Sequence, residues 1–213
     1  MRNLILTLTL LLFTACIGDK EPKKEAIQEL NTTQENNVST LTLEEVQLKS
    51  ALENYLAQLK SLNADNIISM TYPKLFIPIN RDMFKEYLNT MLISSDVQVN
   101  SFDAIITKIN TIKPFSEGKF AQIHYNSTIN ISFINPKLYN TQRKLLILDK
   151  ILSKKYGRDN IRVDSIGRSI TIKKEEKLLA IKESSQTWKF LGDNPEYRRL
   201  YPRILPIEIL NSI

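Results

Sequence analysis

The stretch AQIHYNSTINISF, residues 121–133, alternates between two kinds of side chain along its whole length. One series is apolar and consists of Ala121, Ile123, Tyr125, Ile129, Ile131 and Phe133. The other is polar and consists of Gln122, His124, Asn126, Thr128, Asn130 and Ser132. A strict period of two over this length is typical of a long antiparallel strand with one covered face. The sequence therefore predicts a sheet built around this strand.

Three helices are predicted before the strand. Residues 42–45, Thr-Leu-Glu-Glu, have the spacing of a capping box ahead of an apolar-periodic helix over 43–62. Asn63 is expected to cap a second helix over 64–71, and Asn80 a third. The third helix is expected to pack its apolar stripe into the core, namely Met83, Phe84, Tyr87, Leu88, Met91 and Leu92.

Further strands are predicted on both sides of residues 121–133. They cover 97–99, 103–112, 162–163, 169–173, 177–183 and 187–191, with hairpin turns at 174–176 and 184–186. Between the strands, a helix over 141–156 has an apolar side and ends at Gly157. Its apolar side is predicted to contain Leu145, Leu146, Leu148, Ile151 and Leu152.

The polar side of this inserted helix is strongly basic. Arg143, Lys144, Lys150, Lys154 and Lys155 stand there against one acid, Asp149. These cations are candidates for contact with anionic lipid headgroups, which contribute about 1 kcal/mol per well-placed cation, or with an acidic protein partner. A solvated helix face with no partner is the alternative interpretation.

Composition excludes several classes of function. The chain of 213 residues has 29 Lys and Arg against 23 Asp and Glu, and it contains one Cys and one His. It therefore has no intramolecular disulfide and no Cys/His zinc cluster. No Gly-rich phosphate loop, dinucleotide fingerprint or G-x-S-x-G elbow is present. We expect no cofactor and no metal, and nucleic-acid binding is disfavoured because no aromatic residues alternate with the basic ones.

The N-terminal residues have the pattern of an export signal. Arg2 precedes an uncharged, leucine-rich run over 4–13 that is shorter than the roughly 20 residues of a membrane span. The sequence Leu12-Phe13-Thr14-Ala15-Cys16 resembles the lipobox of bacterial lipoproteins, with Phe13 in place of the usual leucine. The resemblance implies cleavage before Cys16, a diacylglyceryl group on its thiol, and further acylation of its new amine by a chain such as palmitate.

This resemblance divides the chain into three parts. Residues 1–15 are predicted to be a signal peptide, 16–41 a lipidated flexible tether, and 42–213 a single α+β domain. We expect an exported, membrane-anchored protein. Ile17 stands where an inner-membrane retention signal would have Asp, so the outer membrane is favoured if the cell is Gram-negative.

The order of elements resembles the NTF2-like fold, a cone-shaped α+β superfamily that includes SnoaL-like proteins and ketosteroid isomerases. The resemblance depends on the first helix with Leu52 and Tyr55, the turn at 63–65, and a closing hairpin in which Trp188 precedes the last strand. It implies N-terminal helices packed on a curved antiparallel sheet, with the basic helix as an insertion. Another helix-plus-sheet domain or a lipocalin-like barrel remains an alternative.

Enzymes of this superfamily place an Asp, His or Tyr inside the cone, where burial adjusts its pKa. The candidates here are Asp103, His124 and Tyr125. His124 and Tyr125 are neighbours in a strand, so they are expected to point to opposite faces and not to form an acid–base pair. Tyr125 is then a core aromatic and Asp103 a carboxylate at a strand end.

Three functions follow from these features. The first is a lipid-anchored envelope protein whose domain binds a small apolar ligand or a protein partner without catalysis. The second is an NTF2-like pocket enzyme of the isomerase or dehydratase type. The third is a structural or assembly lipoprotein that uses its surface, including the basic helix. A homodimer through the outer sheet face is possible by analogy with the superfamily.

Overall fold

The computed structural model describes residues 41–92, 94–184, 186–193 and 195–213. Its main elements in chain order are α1 (Leu43–Ser61), α2 (Ala64–Met70), α3 (Arg81–Leu92), β1 (Val97–Ile109), β2 (Lys113–Phe115), β3 (Gly118–Phe133), α4 (Gln142–Tyr156), β4 (Ile161–Asp164), β5 (Ser169–Glu183), β6 (Lys189–Gly192) and the short helix α5 (Ile207–Leu210). Short 3-10 segments lie at Pro73–Phe76, Arg158–Asn160 and Pro195–Arg203. The predicted signal peptide, Cys16, most of the tether and Ser185 lie outside the described residues.

The strands form one antiparallel sheet in the order β1-β3-β5-β4. β2 continues the sheet beside β3, and β6 continues it beside β5. β3 and β5 pair without a register shift from Gly118 opposite Glu183 to Ser132 opposite Ser169. The predicted α+β class with an antiparallel sheet is therefore confirmed, and the alternating stretch lies within β3, the longest strand.

Two predicted strand breaks are wrong. Residues 174–176 are not a hairpin turn, because β5 runs through them and Lys174 lies opposite Ser127 of β3. The strands predicted over 97–99 and 103–112 form one strand, β1, whose register against β3 shifts between Val99 and Ser101. At 174–176 the charged residues suggested a turn, although in both places pairing with β3 satisfies the backbone.

The three N-terminal helices begin where their capping residues predict. The Thr42 hydroxyl accepts a hydrogen bond from the Glu45 amide at 3.2 Å, and the Thr42 amide donates to the Glu45 carboxylate at 2.8 Å. The Asn63 side chain accepts from the Asn66 amide at 3.1 Å. The Asn80 side chain accepts from the Met83 amide at 2.9 Å. These bonds satisfy amides that have no partner inside their helices.

The inner face of the sheet, which contains the apolar series of β3, is covered at both ends by helices. At one end the N-terminal helices pack Leu52, Ile67 and Leu88 against Phe102, Ile123 and Leu178. At the other end α4 packs Leu145, Leu148 and Leu152 against Ile129, Ile131 and Ile170. The middle of the inner face lies between these two apolar clusters.

The C-terminal residues cover one end of the opposite, outer face. Tyr201, Ile204 and Ile209 pack against Phe120, Leu179 and Ile181. The Tyr201 hydroxyl donates to the Gly192 carbonyl at 2.6 Å, and the buried Asp193 carboxylate accepts from Gln122 of β3 at 2.6 Å. The rest of the outer face contains the polar series of β3.

The predicted apolar sides of two helices are too wide. Met83 of α3 is 70% exposed, whereas Leu88 is fully buried. On α4, Leu146 and Ile151 are exposed, because only positions three and four residues apart share the face that meets the sheet. None of the described helices is both long and apolar enough to span a bilayer.

The packing of α4 gives a direct stability test. Leu148→Ala should lower the free energy of unfolding by about 2–5 kcal/mol, because Leu148 is buried against the sheet and its loss leaves a cavity. Leu146→Ala, the matched control on the exposed side, should change it by less than about 0.5 kcal/mol. Urea unfolding followed by circular dichroism measures both. Equal effects of the two substitutions would contradict this orientation of α4.

Candidate functional site

The structure separates the three predicted catalytic candidates. His124 and Tyr125 point to opposite faces, as expected, and Tyr125 is buried on the inner face. Asp103 lies in the middle of β1 and not at a strand end, and it forms an exposed ion pair with Lys60 of α1 at 2.7 Å. The three side chains therefore do not form one catalytic group.

His124 lies among cations on the outer face. It is opposite Lys177 of β5 and Lys108 of β1. Partial burial lowers the pKa of the imidazole below its usual value, and the charges of Lys177 and Lys108 lower it further, against an opposing effect of Asp193. The imidazole is consequently neutral at neutral pH.

Tyr125 belongs to a group of buried polar side chains that the sequence analysis missed. Ser127, Lys174 and Glu176 lie beside it on the inner face, and none of the four is more than 7% exposed. Ser127 lies opposite Lys174, and Tyr125 lies opposite Glu176, so the four form two adjacent cross-strand pairs of β3 and β5. We call Tyr125, Ser127, Lys174 and Glu176 the inner polar cluster.

The carboxyl group of Glu176 is the centre of this cluster. The Ser127 hydroxyl donates to one of its oxygens at 2.8 Å. The Lys174 ammonium nitrogen lies 3.5 Å from the other, and Tyr125 lies opposite Glu176 in the strand pair. The helix α4 reaches the cluster as well, since the Lys174 ammonium nitrogen lies 5.2 Å from the ring centre of Tyr156 at the end of that helix.

Burial determines the protonation of the cluster. It lowers the pKa of Lys174 to about 8, because the attraction of Glu176 does not fully compensate for the loss of water around the ammonium group. Burial and the charge of Glu176 raise the pKa of Tyr125 well above its usual value, so its hydroxyl remains a donor. A lysine that titrates near neutral pH can act as a base, and such perturbed groups are typical of functional sites.

The exposed side of α4 is the second notable feature. Leu146, Ile147 and Ile151 are 53%, 50% and 44% exposed, which is unusual for three aliphatic residues within two helical turns. Around them stand the exposed cations Arg143, Lys144, Lys150 and Lys154. We call these seven residues the basic–aliphatic face.

Two residues of α4 do not belong to this face, contrary to the sequence analysis. Asp149 is buried, and its carboxylate is bound by Arg158, so the acid of this helix does not offset the exposed cations. Lys155 is only half-exposed, and its ammonium group lies 5.2 Å from the Tyr156 ring. The face is consequently more purely basic than the sequence suggests.

The described ranges offer no obvious metal site. They contain no group of three or more His, Cys, Asp or Glu residues close enough together to hold an ion.

Comparison with known proteins leaves the family of the chain open. No family model matches the chain, and no curated protein matches it. Among solved structures, a ketosteroid isomerase-like protein from Erwinia carotovora atroseptica SCRI1043 is similar over 73% of this chain and 100% of its own, with 11% sequence identity and a TM-score of 0.43. A likeness this distant assigns neither a fold family nor a reaction.

The protonation of Lys174 should be visible in the pH dependence of stability. Between pH 8 and 10 the unfolded chain keeps this proton, whereas the folded chain has lost it. The unfolded state then binds more protons, so this group raises the free energy of unfolding as pH rises, by at most about 1.4 kcal/mol per pH unit. Lys174→Met should remove this contribution.

Urea unfolding followed by the fluorescence of the single tryptophan, Trp188, measures this effect at pH 8, 9 and 10. The control is Lys173→Met, because Lys173 is an exposed neighbour on the outer face. Its stability curve should run parallel to that of the wild type. A parallel curve for Lys174→Met would contradict the proposed titration.

Proposed function

We propose that the chain is a lipid-anchored protein of the cell envelope, with an NTF2-like fold, that acts through its surface. The basic–aliphatic face of α4 is its contact with an anionic membrane. The proposal adopts the third of the predicted functions in preference to ligand binding or catalysis in a pocket. The lipobox-like sequence at Cys16 and the order of elements, with three helices before an antiparallel sheet, support it.

The combination of exposed charge and exposed aliphatic surface on α4 is the observation that carries the proposal. Cations alone are common on a solvated helix, and they need no partner. Ile147 and Ile151 add apolar surface between Arg143, Lys144 and Lys154, which is the composition of a helix that lies in the interface of a bilayer. The cations are attracted to anionic headgroups, while the aliphatic side chains enter the region of the acyl chains.

The lipid anchor on Cys16 and the basic–aliphatic face of α4 would act together. A single membrane signal gives weak, reversible binding, whereas an acylated cysteine combined with a basic patch gives stable attachment. The tether over residues 16–41 is polar and long enough to let the domain reach the membrane that holds Cys16. Attachment to the outer membrane is favoured if the organism is Gram-negative.

A pocket enzyme of the isomerase or dehydratase type is the second candidate. The observation in its favour is that Tyr125, Lys174 and Glu176 are buried beside one another on the inner face. Against it, these groups bind one another, and the apolar clusters under α1 and under α4 fill the inner face on both sides of them. A surface function agrees better with an inner face that is packed with the protein's own side chains.

The lipid anchor has a direct test. Cells that express the full chain should incorporate a labelled fatty acid into it, and Cys16→Ala should abolish the label and release or mis-sort the protein. Ser50→Ala, a change at an exposed position of α1, is the control and should leave labelling and fractionation unchanged. Normal membrane retention of the Cys16→Ala chain would contradict the anchor without bearing on α4.

Membrane binding by the basic–aliphatic face is tested in a chain that lacks the lipid anchor. The full chain with Cys16→Ala should bind vesicles that contain phosphatidylglycerol more tightly than vesicles of phosphatidylcholine alone. Adding Lys144→Glu, Lys150→Glu and Lys154→Glu should weaken binding by about a hundredfold, because three favourable contacts of about 1 kcal/mol each are lost.

The matched control reverses three exposed lysines on other elements, Lys49, Lys113 and Lys173, to Glu. Both triple variants have the same net charge, and the unprocessed leader is common to them. Co-sedimentation should therefore separate them only if binding is located on α4. Equal loss in both variants would show a general effect of net charge and would contradict the proposal.

A further inference from the structure

A groove lies beside α4, on the side that faces β4. Two hollows of about 310 and 340 Å³ form it, and they adjoin because Gln142, Leu145 and Ser165 line both. The groove adjoins the basic–aliphatic face at Leu146, and its wall opposite α4 is formed by β4 and by the turn that follows it. We call it the α4–β4 groove.

The groove runs along the edge of a strand. Ile161, Arg162 and Val163 all line it, although successive side chains of a strand point to opposite faces of the sheet. A cavity meets three successive residues in this way when it approaches the strand from its side. Within the described part of the chain, β4 pairs with β5 alone, and β5 supplies no lining residue to this stretch of the groove.

An edge strand of this kind can accept another strand. In an antiparallel pair, the backbone N–H and C=O groups of alternate residues point away from the partner, so half of those of β4 point toward the groove. The adjacent helix supplies a second wall. A groove between a helix and an edge strand is a geometry in which extended peptides bind, through backbone hydrogen bonds and alternate side chains.

The lining of the groove indicates the chemistry of its occupant. Its floor is apolar, with Leu145 and Ile161 buried and Val163 half-buried. Its rim is basic: the side chain of Arg158 is 72% exposed, and Arg162 is exposed. Asp149 is the acid in the wall, and Arg158 already binds it. An extended chain with carboxylates toward the rim and aliphatic groups toward the floor would complement this surface.

Self-association through the same edge, in the register that is centred on Arg162, is disfavoured by charge. Two copies that paired their β4 strands about a two-fold axis at Arg162 would set the two Arg162 side chains opposite each other. Like charges that face each other across a strand pair are destabilising. The occupant is consequently expected to be a different polypeptide, and an acidic one.

We propose that the α4–β4 groove binds an extended acidic segment of a partner protein, which adds as a strand to the edge of β4. The pairing is short, because the four residues of β4 extend over about 13 Å. Binding depends on Arg162 at the rim and on an unobstructed groove between Gln142 and Ser165. Peptide binding in this groove requires neither the lipid anchor nor membrane contact by the basic–aliphatic face.

Fluorescence anisotropy with labelled peptides tests the proposal on the full chain in neutral detergent. The probe is a heptapeptide of alternating Glu and Val. One comparison peptide has Lys in place of Glu, and another has the same sequence as the probe with alternate backbone nitrogens methylated. The Glu–Val peptide should bind, and both comparison peptides should bind at least tenfold more weakly. Failure of the Glu–Val peptide to bind, or equal binding of the methylated peptide, would overturn the proposal.

Two substitutions in the α4–β4 groove test whether the Glu–Val peptide binds there. Arg162→Glu should weaken binding of the Glu–Val peptide at least tenfold, and Ser165→Trp should do the same by filling the groove. The control, Lys173→Glu, changes an exposed lysine that lines neither hollow and should stay within twofold of the wild type. Unchanged melting temperatures identify folded variants. Equal losses in Arg162→Glu and Lys173→Glu would overturn the proposal.

Amide hydrogen exchange gives an independent readout that does not depend on a variant. The bound Glu–Val peptide should slow exchange in residues 161–164, as expected for a strand added to β4. Protection confined to the basic–aliphatic face would overturn the proposal.

Vesicle binding of the Arg162→Glu variant is a separate check. A variant that loses vesicle binding but keeps peptide binding would also overturn the proposal, because the groove would then be part of the membrane contact.

Discussion

The pairing of β3 with β5 is the constraint on which the rest of the structure depends. Fifteen successive residue pairs keep one register from Gly118 to Ser132, so each side chain of either strand is assigned to one face. Odd-numbered residues of β3 and even-numbered residues of β5 share the inner face, where both groups of helices pack. The edge strands β1 and β4 and the short strands β2 and β6 add to this central pair.

The inner polar cluster makes that register specific. A slip of one residue would carry Lys174 and Glu176 to the outer face and bring Lys173 and Glu175 inward, where Ser127 could not bind them in the same way. A buried ion pair gives little net stability, because both charges lose water. The hydrogen bond from Ser127 to Glu176 and the ion pair with Lys174 instead favour one alignment of the two strands, in the gap between the helices that cover the two ends of the inner face.

Much of the fold could be predicted from local patterns. The period of two in β3 identified the sheet and its covered face, and the residues Thr42, Asn63 and Asn80 marked the starts of three helices. These signals are reliable because they arise from contacts within a few residues. The width of the buried side of α4 could not be predicted in the same way, since it depends on how the helix is rotated on the sheet.

The sequence analysis missed the inner polar cluster for a related reason. Three consecutive charged residues at 174–176 resemble a turn, and that interpretation conceals their place in β5. A signal was nevertheless present: Ile170, Ile172, Leu178 and Ala180 share one parity, and Lys174 and Glu176 fall on the same series. The α4–β4 groove left no such signal, because it arises from residues of α4 and β4 that only the folded chain brings together.

The C-terminal cover of the outer face has a consequence for the order of folding. Tyr201, Ile204 and Ile209 are made after all six strands, yet they bury Phe120, Leu179 and Ile181. Until those late residues emerge, one end of the completed sheet exposes a large apolar surface. During synthesis the chain would therefore reach its final fold only when its last segment has emerged, and until then it would remain a substrate for chaperones that recognise exposed apolar strands.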